Sequence, residues 1–268
     1  MILTLLTTFA LAAQDYTPAN PEWNQPVEPV KLAANLYYVG ASDVSSFLFT
    51  SDQGHVLLDS GFRETVPLIK ANVEKLGFRM RDIKYLLVTQ AHFDHAAGIA
   101  ELKRLTGAKL LLSVEDARLA ARGGKGDFAF QDRFQFEPVE ADRFISDGEK
   151  LTLGKTIRLR AHLTPGHTKG CTTWSAEVGN QTAVVVCGFT APGYRLKGNP
   201  RYANIVADFE HTFDTLEKLP CDIFLAAHAS QFHLEEKRAT GQYAKPGELA
   251  AEMKQARQTF HELLAKQQ

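Results

Sequence analysis

Between Ile83 and Val88 a short apolar run, Ile-Lys-Tyr-Leu-Leu-Val, leads directly into Thr89-Gln90-Ala91-His92-Phe93-Asp94-His95. A run of this length and character is what a strand buried on both faces looks like, so the chain must supply packing layers on either side of it. The residues that follow are costly to bury unless they are paired or coordinate something. His92, Asp94 and His95 therefore mark the end of a core strand at a sheet edge, where α/β proteins commonly carry their sites.

The rest of the chain supplies the layers. Strands are expected at Leu36–Val39, Ser46–Thr50 and His55–Asp59, followed by a helix carrying Val66, Ile69, Val73 and Leu76, with Gly77 as its C-terminal cap. A second helix runs from near Gly98 to Gly107, ahead of a strand at Lys109–Ser113. The second half repeats the logic without detectable sequence repetition: strands at Thr156–His162, Thr172–Val178, Ala183–Val186 and Asp222–Ala226, and a helix over Asp208–Lys218. A last helix puts Leu249, Met253, Ala256, Phe260 and Leu263 on one face. This pattern predicts an α/β sandwich, two sheets face to face with helices outside.

A chain of 268 residues can bury a sizeable core without a disulfide scaffold. Its formal net charge of -1 gives no footing for nucleic acid or an anionic membrane as a partner, and the chain is expected to act as a monomer. The first thirteen residues, MILTLLTTFALAA, end in the small-residue pattern Ala10-Leu11-Ala12-Ala13. They resemble a secretory signal, although no Lys or Arg precedes the apolar run, and they fall short of the roughly 20 residues that a membrane span needs. The expected organisation is a signal over 1–13 and one domain over 14–268, placed in the periplasm or secreted. Of three cysteines, Cys171 and Cys187 flank a hairpin and could face one another. Disulfides between directly paired antiparallel strands are uncommon and strained, so buried thiols are expected.

Of nine histidines, His92, His95, His167 and His228 fall where strands end. A loop at His92–His95 can face alternate side chains toward two points, which suits a pair of adjacent metals. His167 lies in Thr164-Pro165-Gly166-His167-Thr168, and His228 follows the strand ending at Ala226. Imidazole and carboxylate are good zinc ligands, so zinc, one or two ions per chain, is the expected cofactor. A lone histidine is more often a hydrogen-bonded core or surface residue; the clustering is what points to metal.

HFDHAAG, LTPGHTKG and Leu57-Leu58-Asp59-Ser60-Gly61 resemble the metallo-β-lactamase superfamily, whose fold is an αββα sandwich. Thr190 through Tyr194, Gly198-Asn199-Pro200-Arg201-Tyr202, Ala121-Arg122-Gly123-Gly124, His228-Ala229-Ser230-Gln231-Phe232 and Asn20-Pro21-Glu22-Trp23 are similar to the third subclass of class B β-lactamases, covering essentially the whole mature chain. The resemblance implies one zinc on His92, His167 and position 90, and a second on Asp94, His95 and His228. Position 90 is histidine in most relatives and Gln90 here; a minority branch of the subclass shares the glutamine. A neutral amide oxygen is a weaker ligand than imidazole, so the second site is expected to be the tighter.

The resemblance further implies hydrolysis of the β-lactam amide by a metal-bound hydroxide, with Asp94 positioning the water, and hence antibiotic resistance. Thr190 matches a serine that binds the substrate carboxylate in relatives. Asp59 is expected to orient a ligand, its alternative role being that of a turn aspartate. Trp23 and Phe128, the latter in the loop Asp127-Phe128-Ala129-Phe130, are expected as apolar walls, or as plain packing. Cys187 becomes a ligand only if the alignment slips by one residue. Two other readings remain open: a lactonase or thioester hydrolase on the same scaffold, and a metal-binding protein without catalysis.

Overall fold

The computed structural model describes residues 20–267; the expected signal over 1–13 lies outside them. Two sheets form the centre. The first has seven strands in the order β1 (Val30–Ala33), β2 (Leu36–Tyr38), β3 (Phe47–Ser51), β4 (Gly54–Leu58), β5 (Ile83–Leu87), β6 (Lys109–Ser113) and β7 (Arg143–Ile145). It is antiparallel as far as β4 and parallel from there on. The second has five strands: β8 (Lys150–Leu153), β9 (Ile157–Leu163), β10 (Thr172–Val178), β11 (Gln181–Val186) and β12 (Ile223–Ala226). They lie side by side in chain order, with only β11 and β12 parallel.

Strand alternation explains why the central strands are apolar on both faces. Phe47, Phe49, Val56, Leu58, Leu87 and Leu111 point into a core shared with Trp174, Ala176 and Val184 of the second sheet. Their neighbours Leu48, Leu57, Leu86, Leu110 and Leu112 point the other way, onto α1 (Val66–Lys75), α3 (Ile99–Thr106) and α4 (Val114–Ala121). The second sheet is covered in turn by α5 (Ile205–Leu216) and α7 (Glu248–Lys266) through Phe209, Phe213, Met253 and Phe260. Each phenylalanine so buried contributes roughly 1.5–3 kcal/mol. The order helix, sheet, sheet, helix is the αββα sandwich. A further helix, α6 (Leu234–Thr240), follows β12. Among the described residues no helix is long and apolar enough to cross a membrane.

Several elements lacked a sequence signal. Strands β1, β7 and β8 are three or four residues long, too short for a period to register, and α4 follows β6 with no intervening breaker. His92–His95 is not a loop: His92 is extended (φ -76°, ψ 157°) and caps a single helical turn, α2 (Phe93–Ala96). The cysteines also differ from expectation, because Cys171 and Cys187 form a disulfide with a Cα–Cα distance of 5.8 Å. The β10–β11 register pairs Trp174 with Val185, which would set residue 172, not Cys171, opposite Cys187. The bridge is thus diagonal and lies beyond the ladder, where the constraint on directly paired strands no longer applies.

Candidate metal centre

The strand ends β4, β5, β9, β11 and β12 converge, and the segments leaving them carry the polar side chains. The extended backbone of His92, followed by one helical turn, aims His92 one way and Asp94 and His95 another. Asp94 Oδ2 lies 3.5 Å from His95 Nε2 and 3.5 Å from His228 Nε2. One ligand atom from each of these three residues falls within 4.8 Å of the others. The rings of His92 and His167 approach to 5.0 Å, forming a second cluster. Gln90, 1% exposed, faces the same cavity.

Each imidazole has an oxygen behind it. His228 Nδ1 donates to Asp43 Oδ2 (2.9 Å), whose other oxygen accepts from Ser230 N–H (2.8 Å). His167 Nδ1 donates to the Thr190 carbonyl at 2.7 Å, which leaves its Nε2 lone pair free to bind a metal. His95 Nδ1 faces Asp59 Oδ2 at 3.7 Å, while that carboxylate accepts from the Thr89 amide (2.6 Å) and hydroxyl (2.7 Å). Asp59 has a positive φ of 64° and is fully buried, as a residue held to support a neighbour would be. His92 reverses the pattern: its Nε2 faces Asp127 Oδ2 at 3.4 Å, turning Nδ1 toward the cavity. The sequence singled out Asp59 but neither Asp43 nor Asp127; both sit in turns with no spacing relation to a histidine.

The electrostatics suit a cation. Burial pushes His95 down to about 4 and His167 down to about 3, so both are neutral ligands at pH 7. Burial alone would raise Asp94, but His95 and His228 outweigh it and hold the carboxyl below the usual range. Burial likewise opposes protonation of His228, yet Asp43 and Asp94 bring it up to about 9. Gln90 Oε1 and His95 Nε2 are buried without a hydrogen-bond partner. Such atoms ordinarily cost about 1–3 kcal/mol each, and a metal at each of the two clusters would remove that cost. Zinc would displace the Nε2 proton of His228, and the donor set of imidazoles, a carboxylate and an amide oxygen then fits it.

The cavity over these groups measures about 400 Å³. Trp23, edge-on to His228 with ring centroids 5.0 Å apart, forms one wall; Phe130 and Phe134 form another, with Phe130 at 4.8 Å from the His92 ring. Phe128, expected there, packs instead on Tyr194 and Tyr202 at 5.2 and 4.8 Å, and the next alternate residue takes its place. Thr190 stands exposed at the rim beside Ser230 and Gln231. The cavity lining contains no Lys or Arg among the described residues. Cys187 also lines it, with its sulfur committed to the disulfide.

A family model described as the metallo-β-lactamase superfamily matches residues 39–228. Among solved structures, a Cronobacter sakazakii metallo-β-lactamase is 39% identical with a TM-score of 0.89, covering 91% of this chain and 96% of its own. A subclass B3 metallo-β-lactamase of Bradyrhizobium japonicum is 34% identical with a TM-score of 0.86, again over 91% and 96%. A protein described as a probable metallo-hydrolase of Burkholderia pseudomallei is 35% identical over 104 residues, 39% of this chain and 34% of the relative. The chain thus spans about a third of the length of the curated relatives it matches.

Proposed function

The chain belongs to the metallo-β-lactamase superfamily, and we propose that it is a zinc-dependent β-lactamase of subclass B3 that opens the β-lactam amide and so confers resistance. The observation that carries this reading is the pair of histidine clusters on one apolar-walled cavity, in a chain similar along nine-tenths of its length to enzymes of that name. Asp94, His95 and His228 would hold one zinc; His92, His167 and Gln90 would hold the other. Zinc bound there polarises the lactam carbonyl and acidifies water so that it reacts at neutral pH.

The protein's own groups do the rest. Asp94, kept ionised beside His95 and His228, orients the attacking water. Asp43 and the Thr190 carbonyl fix by hydrogen bonds which nitrogen of His228 and His167 faces the cavity, while Asp59 and Asp127 stand behind His95 and His92. Trp23, Phe130 and Phe134 exclude bulk water. With no cation in the lining, the substrate carboxylate meets neutral donors at the rim: Thr190, Ser230 and Gln231.

The second site, with a carboxylate and two imidazoles, binds zinc more tightly than the first, where Gln90 offers only an amide oxygen. The protein functions as a monomer. The N-terminal segment directs export and is cleaved so that the mature domain starts near Ala13 or Gln14; a Cys171–Cys187 bridge suits an oxidising compartment. Mass spectrometry of exported protein checks the cleavage point. The function is tested by following zinc content and nitrocefin hydrolysis together as metal is returned to chelated protein. Turnover should appear with the first equivalent and vanish with chelator. No hydrolysis at any zinc content refutes the reading, and activity only after two equivalents of equal affinity refutes the ranking of the sites.

A further inference from the structure

One buried carboxylate near the centre has no part in the chemistry above. Asp116 lies in the first turn of α4, is 3% exposed, and directs its side chain at two segments that belong to different sheets. Asp116 Oδ2 accepts from the Ala91 amide at 2.9 Å and from the Thr168 hydroxyl at 3.0 Å. Oδ1 accepts from the Gly170 amide at 3.1 Å. Ala91 stands between Gln90 and His92, and Thr168 follows His167 directly. Two of the three hydrogen bonds therefore land one residue from a side chain of the first cluster, and none lands beside a member of the second cluster alone.

The packing around Asp116 is made for this contact. Ser113, the residue before α4, donates its hydroxyl to the Gly170 carbonyl at 2.6 Å. A Cβ at Gly170 would run into Ser113 Oγ and the backbone nitrogen of Asp116, so only glycine lets the segment after His167 come this close. The Thr172 amide donates to the Thr89 carbonyl at 2.8 Å, joining the same two segments from the other side. The two backbones are thus clamped together across the gap between sheets, with one charged acceptor at the junction.

We infer that Asp116 is a positioning residue that sets the spacing of Gln90, His92 and His167, and hence the affinity of the first zinc site without touching metal or substrate. The inference rests on the ligand sets proposed above. Charge-assisted hydrogen bonds to backbone amides are strong and directional, and removing outer partners of metal ligands characteristically weakens binding 10–100-fold. Asp116→Asn keeps the shape of the side chain but turns an NH2 group toward either the Gly170 amide or the Ala91 and Thr168 donors, so the clamp loses at least one bond.

The test is zinc competition against a chromophoric chelator, using folded full-length protein in a Gln90→His background, where the first site is furnished with three histidines. Asp116→Asn should weaken the first site about 10–100-fold and leave the second within about threefold of its parent. Gly170→Ala, which pushes the segment off Asp116 while sparing the carboxylate, should do the same. Thermal unfolding of the zinc-free proteins is measured alongside. A merely structural aspartate would lower the unfolding midpoint while leaving the ratio of the two zinc affinities unmoved, and that result overturns the inference. Equal weakening of both sites, or none, overturns it too. If the Gln90→His parent holds only one zinc, the ligand assignment itself has failed, and the inference with it; if the parent holds two and Asp116→Asn is unchanged, the inference alone has failed.

Discussion

Gly166→Ala offers the sharpest check on how the fold holds His167. Gly166 has φ 137°, a conformation that side-chain-bearing residues rarely adopt. A Cβ placed there would lie 2.8 Å from Phe209 Cγ and 3.0 Å from each of its Cδ atoms. The ring cannot retreat, because Phe209 is fully buried and packs on Phe260 and Phe213 with centroids at 4.7 and 6.1 Å. Backbone strain contributes about 1–3 kcal/mol and overpacking about 1–3 kcal/mol more, giving about 2–6 kcal/mol of lost stability. The two parts separate in a double-mutant cycle with Phe209→Ala, which removes the overlap but not the strain. Urea unfolding of zinc-free protein is the assay, so that metal loss does not enter. Gly166→Ala should cost about 1–3 kcal/mol less in the Phe209→Ala background than in the native one. A cost below about 1 kcal/mol, or the same cost in both backgrounds, would refute the argument.

Three further outcomes follow from the same structure. Asp94→Ala or His228→Ala should reduce nitrocefin turnover at least ~100-fold, since each removes a ligand from the better-furnished site; near-native rates in metal-quantified protein would contradict the assignment. Cys171→Ser opens a bridge between residues 16 apart and should lower stability by about 3 kcal/mol in urea unfolding, with no such loss if the native protein is already reduced. Burial raises the Cys221 thiol from 9.0 to about 12, partly offset by a hydrogen bond with the Val184 backbone. Its folded pKa lies above the unfolded one, so the protonated form favours the native state; that contribution is complete below pH 9 and is lost as pH rises toward 12. Cys221 is half-buried, so iodoacetamide at pH 8 should label it more slowly in native than in unfolded protein, and equal rates would count against the raised pKa.

The parts of this architecture that sequence revealed are those with a local signature. Ile83–Val88 reads as a two-sided strand because the six residues alone carry the pattern, and His92, Asp94 and His95 are legible because they follow it at once. The carboxylates behind the ligands are not. Asp43 and His228 are 185 residues apart, and no period or motif links them; only the convergence of β12 with the turn after β2 does. Asp116 is hidden for the same reason, as an acidic residue in a helix's first turn usually needs no explanation beyond the helix dipole. The aromatic wall was legible as a loop but not as a residue, since choosing Phe130 over Phe128 depends on which way the turn held by Asp127 faces. The disulfide has no local signature, because only the register of β10 against β11 sets the two cysteines on a diagonal.

With the ligand sets proposed above, each zinc draws on both halves of the sandwich. Gln90, His92, Asp94 and His95 hang from β5 in the seven-stranded sheet, whereas His167 and His228 hang from β9 and β12 in the five-stranded one. Occupancy is therefore a rivet between the sheets as well as a source of reactivity. A ligand bound only by the folded state at 100 times its dissociation constant adds about 2.7 kcal/mol, roughly a hundredfold fewer unfolded molecules. Loss of zinc would then shorten the lifetime of the folded chain as well as stop its turnover, because molecules emptied of metal unfold more often. Compounds that strip the metal would share that second effect, and compounds that merely fill the cavity would not.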